Sequence, residues 1–171
     1  MHLMRILAQL SVTLRHKDEV NKKISEVSVA WHIDHSLRVI NAVFDSLQKS
    51  DPKKYIDEAN PVRAYVLENK IIKRGVAESP KHVLPETIIE PKTLLESLES
   101  AKKAITLIDT LPKNCYFDHH KMGMLKRDEA KKFLKIHTRH HLGIIDDILE
   151  QNNISNKTHR KVLLAESQLP S

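Results

Sequence analysis

Cysteine occurs once in these 171 residues, at Cys115, which excludes an internal disulfide and suits a reducing cytoplasm. Glycine occurs only three times, and the long segments carry helical rather than alternating periodicity. Those two facts point to an all-α protein. Aromatic residues make up 4% of the chain, so the core must be built mainly from Leu, Ile and Val. That scarcity also removes the aromatic interleaving expected of a base-stacking surface. No stretch approaches the roughly 20 apolar residues of a membrane span. The start, MHLMRILAQLSVTLRHK, has no continuous apolar run and is interrupted at Arg5, so the reading expects no signal peptide and a cytoplasmic protein.

Charge is present, but it is mixed. The formal net charge is +6, yet the lysines lie among acids, as in KDEVNKK and KRDEAKK. This is the pattern of solvated helix faces with i, i+4 pairs rather than a basic stripe, and it argues against nucleic acid as the partner.

A length of 171 residues suits one domain with a substantial core. The periodicity divides it into four long helices and a short one. The first spans residues 1 to about 23. The second is capped by Ser25 or Ser28 and ends at Asp51-Pro52, with Val29, Ile33, Ser36, Leu37, Ile40, Val43, Phe44 and Leu47 on one face. After a polar connection, Asn60-Pro61 opens the short helix, which Gly75 stops. Residues 76–90 hold two prolines and read as an extended loop. Pro91 begins the third long helix, with Leu94, Leu95, Leu98, Ala101, Ile105 and Ile108 on one side, ending at Leu111-Pro112. A loop, PKNCYFDHHKMGML, leads to the fourth, residues 126–150. Residues 151–171 read as a polar tail, partly disordered or loosely packed. Four such helices sharing one core make a bundle, and bundles place metal sites between facing helices.

Histidine is abundant, with eleven copies. The last long helix, KRDEAKKFLKIHTRHHLGIIDDILE, has an apolar stripe of Ala130, Phe133, Leu134, Ile144, Ile145 and Ile148, and His137 and His141 fall at its centre. Four residues apart, they leave the same face one turn from each other. Burying an imidazole without a partner costs on the order of 2–7 kcal/mol. A shared metal ion removes that cost for both. A second cluster lies in the second helix, where His32 is at the edge of the apolar face and His35 is turned further to the side. One histidine from the second helix and two from the last would give three nitrogens and an open coordination position. Such ligation suits zinc or nickel, with copper and iron also compatible. Cys115 has no visible paired base, Asp34 has no evident role, Asp146 and Asp147 read as a solvated face, and Trp31 as a packing anchor. His2, His16, His82 and His159 are scattered and read as exposed.

The segments AWHIDHSLRVI and HTRHHLGII together resemble the DinB/YfiT-like superfamily, closest to a DinB-like branch of unknown function, over roughly residues 20–150. The resemblance implies a four-helix up-down-down-up bundle, residues 1–150 here, that often dimerises and binds a divalent metal through one histidine of the second helix and two of the last. Carried onto this sequence, the ligands are His32, His137 and His141. His35 is the fallback ligand or a partner to one, and His140 contacts the ligands or the pocket. The segment DHHKMGML resembles a His-Pro-x-x-Gly-x-Leu stretch of that branch, with His119 at the histidine position and His120 replacing the proline. His119 reads first as a surface loop histidine, with a place on the pocket wall as its alternative. Lys126 stands where a capping Thr or Ser is expected. The implied activity is that of a metal-dependent hydrolase, or a transferase using a low-molecular-weight thiol, on an unidentified small molecule. A non-catalytic, stress-related metal- or small-ligand-binding module is the alternative, and a nucleic-acid-binding helical protein is a third reading. A cavity reaching the metal would favour an enzyme; a fourth protein ligand would favour a structural site.

Overall fold

The computed structural model describes residues 2–75, 79–86 and 88–166, with side chains described as far as Ile154. The described chain is mostly helical: α1 (Leu3–Val12), α2 (Val29–Lys49), α3 (Pro61–Asn69), α4 (Pro91–Leu107) and α5 (Arg127–Glu166), with a two-stranded antiparallel sheet of β1 (Tyr116–His119) and β2 (Gly123–Lys126). No helix among the described residues is long and apolar enough to cross a membrane.

The four longer helices close around one core. α2 packs against α4 and α5, and α1 packs against the same two. Helices adjacent in sequence therefore do not form the main contacts. The filling is aliphatic, as the scarcity of aromatics requires: Ile6, Leu7 and Leu10 of α1 meet Leu37, Ile40 and Leu47 of α2, Leu94 of α4, and Leu134 and Ile145 of α5. Each such side chain, fully buried, stabilises the fold by about 1.5–3 kcal/mol.

Local chemistry sets the ends. Ser28 caps α2, its Oγ accepting the Trp31 backbone N–H at 3.3 Å. Asn60 caps α3 through the Arg63 N–H at 2.9 Å, with Pro61 in the first turn. α3 stops at Lys70, which takes up the left-handed conformation (φ 57°), well before the expected Gly75. α1 is likewise shorter than expected, tightening into a 3-10 turn over Thr13–His16. Leu95, expected on the core face of α4, is 54% exposed.

Two larger differences bear on the site. The loop before α5 contains the hairpin, in register Phe117 with Leu125 and His119 with Gly123. Its turn ends on Gly123 at φ 65°, a conformation that glycine reaches without the Cβ penalty. The last helix is also longer than expected, its backbone staying helical past residue 150 through Glu166. Lys126, a poor cap by type, is served instead by Glu129, whose Oε2 accepts the Lys126 backbone N–H at 3.0 Å. This is the reaching-back half of a capping box.

Arg127 ties the end of α4 to the start of α5. It is 9% exposed, and its Nη1 donates to the Asp109 carbonyl at 3.1 Å and the Leu111 carbonyl at 2.7 Å. Arg127→Met is expected to cost about 2–3 kcal/mol, because charged hydrogen bonds are lost and two carbonyls are stranded. Urea unfolding reads this directly; a loss below about 1 kcal/mol would mean that water replaces the guanidinium.

Candidate metal centre

The side chains of α5 that face α2 include two imidazoles, and α2 answers with two of its own. His35 from α2 and His137 and His141 from α5 each offer a ligand atom, and these atoms lie within 4.8 Å of one another. The ring centroids are 5.1 Å apart for His35–His137, 4.8 Å for His35–His141 and 4.6 Å for His137–His141. The rings therefore form a triangle rather than a row. The metal-competent cluster takes His35 where sequence reasoning put His32 first.

His32 has a different place. It is 3% exposed, and its Nδ1 lies 3.0 Å from Nδ1 of His141. Its Nε2 lies 3.0 Å from Ser25 Oγ. Two facing Nδ1 atoms share one hydrogen, so one donates and the other accepts. If His141 is to present its Nε2 to an ion, its Nδ1 must carry the hydrogen and His32 Nδ1 must accept it. That assignment puts the remaining hydrogen of His32 on Nε2, where Ser25 Oγ can accept it. The relay Ser25–His32–His141 would in that case fix the tautomer and orientation of His141, as residues behind metal ligands commonly do.

His35 is fixed in the same way by backbone. Its Nδ1 donates to the Val83 carbonyl at 2.9 Å, so Nε2 keeps its lone pair and accepts a long 3.5 Å contact from the Ser79 hydroxyl. Trp31, the packing anchor expected from the sequence, stacks on the His35 ring at 5.0 Å. The helical wheel turns His35 towards the side of α2, away from the apolar face. In the structure a 3-10 turn, Lys81–Val83, covers that side, and His35 is only 1% exposed.

His137 is the member left without a partner. The residue as a whole is half-buried, with its ring on a cavity wall, but its Nδ1 is shut away from solvent and makes no hydrogen bond. A buried, unsatisfied nitrogen costs about 1–3 kcal/mol, and it is the feature a bound cation would relieve. Burial also favours the neutral rings. Burial pushes His137 and His141 well below the ordinary imidazole range, lowers His35, and brings His32 down to about 4. Neutral imidazoles keep the lone pairs that a metal needs. Among the described residues no carboxylate or thiolate joins the cluster. Asp34 is 2% exposed, but its carboxylate is engaged by Arg38 Nε at 2.7 Å.

A cavity of about 340 Å³ opens onto the triad. His35, His137 and His141 form part of its wall, together with His140, His119 and His120. His140 leans on the Ile72 backbone and is half-buried. No family model, curated protein or solved structure matches this chain. The site is therefore read from its own geometry. Apart from histidines the wall is largely aliphatic, with Val39, Val43, Val62 and Val66 from α2 and α3. Sequence reasoning missed the wall supplied by Phe117 and Met122 of the hairpin and by the segment around Ser79–Val83. It also placed His82 as a scattered surface residue, whereas His82, although exposed, lines the cavity. Cys115 is buried in the core, and burial raises its thiol pKa, so it is a packing residue.

Proposed function

We propose that this chain is a metal-dependent enzyme of the DinB-like type, built on an up-down-down-up bundle, that acts on a small molecule as a hydrolase or a low-molecular-weight-thiol transferase. One observation carries the reading: three histidines converge beside a cavity, one of them with an unsatisfied buried nitrogen, and no fourth protein ligand joins them among the described residues. A site with three protein ligands and an open side is the arrangement of catalytic rather than structural centres. The all-nitrogen set favours zinc or nickel. Such an ion supplies Lewis acidity, which makes a nucleophile available at neutral pH.

What the chain itself does is hold and shield. The Val83 carbonyl and the Ser25–His32 relay fix His35 and His141, and the valine wall keeps the cavity apolar, which strengthens electrostatic interactions inside. Asp118 is the one carboxylate among the residues lining the cavity. With no carboxylate in the cluster, transfer of a thiol is better supported than hydrolysis, and Asp118 is the candidate base if hydrolysis is the reaction. A homodimer belongs to the same reading, and light scattering at twice the monomer mass would support it.

The test begins with metal content of protein purified without an affinity tag, beside a His137→Ala/His141→Ala double variant. About one equivalent of zinc or nickel in the parent and none in the variant is the expected result. Loaded protein is then offered activated esters and amides, and separately an electrophile with a small thiol; turnover only with thiol selects the transferase. Metal without turnover selects the non-catalytic binding module, and failure to take up metal after reconstitution removes the reading altogether.

A further inference from the structure

His119 faces the same cavity from the hairpin, with its ring held against the backbone of its own turn. Its Nδ1 accepts two backbone N–H groups of its own turn, from Lys121 at 3.1 Å and Met122 at 3.4 Å. An imidazole that accepts at Nδ1 carries its hydrogen at Nε2 when neutral. The ring is also immobilised: it meets Phe133 edge-on at 5.1 Å, and Phe117, its neighbour on the same face of β1, at 5.8 Å. Phe133 in turn lies 5.5 Å from the His137 ring. With Nδ1 turned into the hairpin backbone, the opposite edge points away from it. The ring is half-buried and lines the cavity, and its turn hydrogen bonds fall on Nδ1, which leaves Nε2–H to the contents of the cavity. A fixed donor on the wall of an aliphatic chamber is placed to meet an acceptor brought by a ligand.

The charges around the cavity agree on its sign. Lys73 and Lys121 line it against a single carboxylate, Asp118. The remaining surface is mostly aliphatic and aromatic, and a volume of about 340 Å³ falls at the small end of ligand pockets. We propose that the ligand is a small molecule with an anionic oxygen-bearing head and an apolar body, and that His119 binds the head through Nε2–H. The apolar body lies against Val39, Val43, Val62, Val66 and Met122. This rests on the metal reading, since the head would be shared between His119 and the triad.

Cobalt(II)-loaded protein titrated with aliphatic hydroxamates, from aceto- to hexanohydroxamate, tests it through the visible spectrum. His119→Asn keeps a short side-chain acceptor for the turn N–H groups but cannot reach the ligand. His119→Gln can place its amide N–H near the original Nε2 but gives up the turn acceptor. Both should bind cobalt as the parent does. Hydroxamate affinity should fall about 10- to 100-fold in His119→Asn, the value of one charged hydrogen bond, and be largely restored in His119→Gln. In the parent, affinity should rise about threefold to fourfold per added CH2. Unchanged hydroxamate affinity in His119→Asn, or no dependence on chain length, overturns the proposal while leaving the metal site standing. Failure to load cobalt overturns the metal reading itself, and this inference with it.

Discussion

His35→Ala should abolish stoichiometric metal binding, whereas His32→Gln should weaken it by only about 10- to 100-fold. The two histidines are three residues apart on one helix, both are buried, and the family resemblance and the helical wheel both put His32 first. Geometry separates them. His35 belongs to the triangle with His137 and His141; its Nδ1 is occupied by the Val83 carbonyl, and its Nε2 meets only the Ser79 hydroxyl at a long 3.5 Å, which an ion can displace. Both nitrogens of His32 are engaged, one with His141 and one with Ser25. Removing His35 deletes a ligand. Replacing His32 removes only the acceptor behind His141, a loss of about 1.4–2.7 kcal/mol in binding. Competition with a chelating dye at fixed zinc separates the two cases, and Ser25→Ala should show a smaller loss in the direction of His32→Gln. Should His32→Gln lose metal entirely while His35→Ala keeps it, His32 is the ligand and the triangle is a packing arrangement.

The confusion between His32 and His35 marks where sequence reading stops. The four long helices, the short helix after Pro61 and the histidine pair of the last helix were all legible, because each rests on local periodicity or on a capping residue. A helical wheel, however, knows only the faces that other helices cover. The side of α2 that carries His35 is covered by the 3-10 turn at Lys81–Val83, in a stretch whose prolines give no period to read. Ser25 was legible as a candidate cap, but Ser28 takes that role, and Ser25 turns to His32. The hairpin was hidden for a related reason: its strands are four residues each, too short for alternation to stand out, and the turn glycine at position 123 is the one local sign of it. Side chains whose partners lie in irregular segments are the ones that periodicity cannot place. The cavity wall is built from such segments, so the histidine pair on α5 could be read while much of the chamber in front of it could not.

Without metal, the protein should lose stability steeply as pH falls from about 6.5 towards 4. In the unfolded chain these histidines titrate near 6.5. In the folded protein burial lowers His32 to about 4, lowers His35 and His140, and holds His137 and His141 well below the usual range. His119 on the hairpin is also brought down to about 4. Between those limits the unfolded chain binds protons that the folded one does not, so stability rises with pH. The contribution is complete above pH 6.5 and is lost on acidification towards the folded value. For His32, 3% exposed, a fall from 6.5 to about 4 corresponds to about 3 kcal/mol. His119 is half-buried, and solvent screening discounts its share. Several such groups together rival the whole stability of an ordinary domain, about 5–15 kcal/mol, so the apo protein should unfold well before pH 4. Urea midpoints from pH 7.5 down to 4.5, in the presence of a chelator, measure the slope. His32→Phe should flatten it, because the variant has no imidazole there to protonate on unfolding. A midpoint that stays level across this window would mean that the rings charge without leaving the fold, and that the neutral, metal-ready triad is not the resting state of the site.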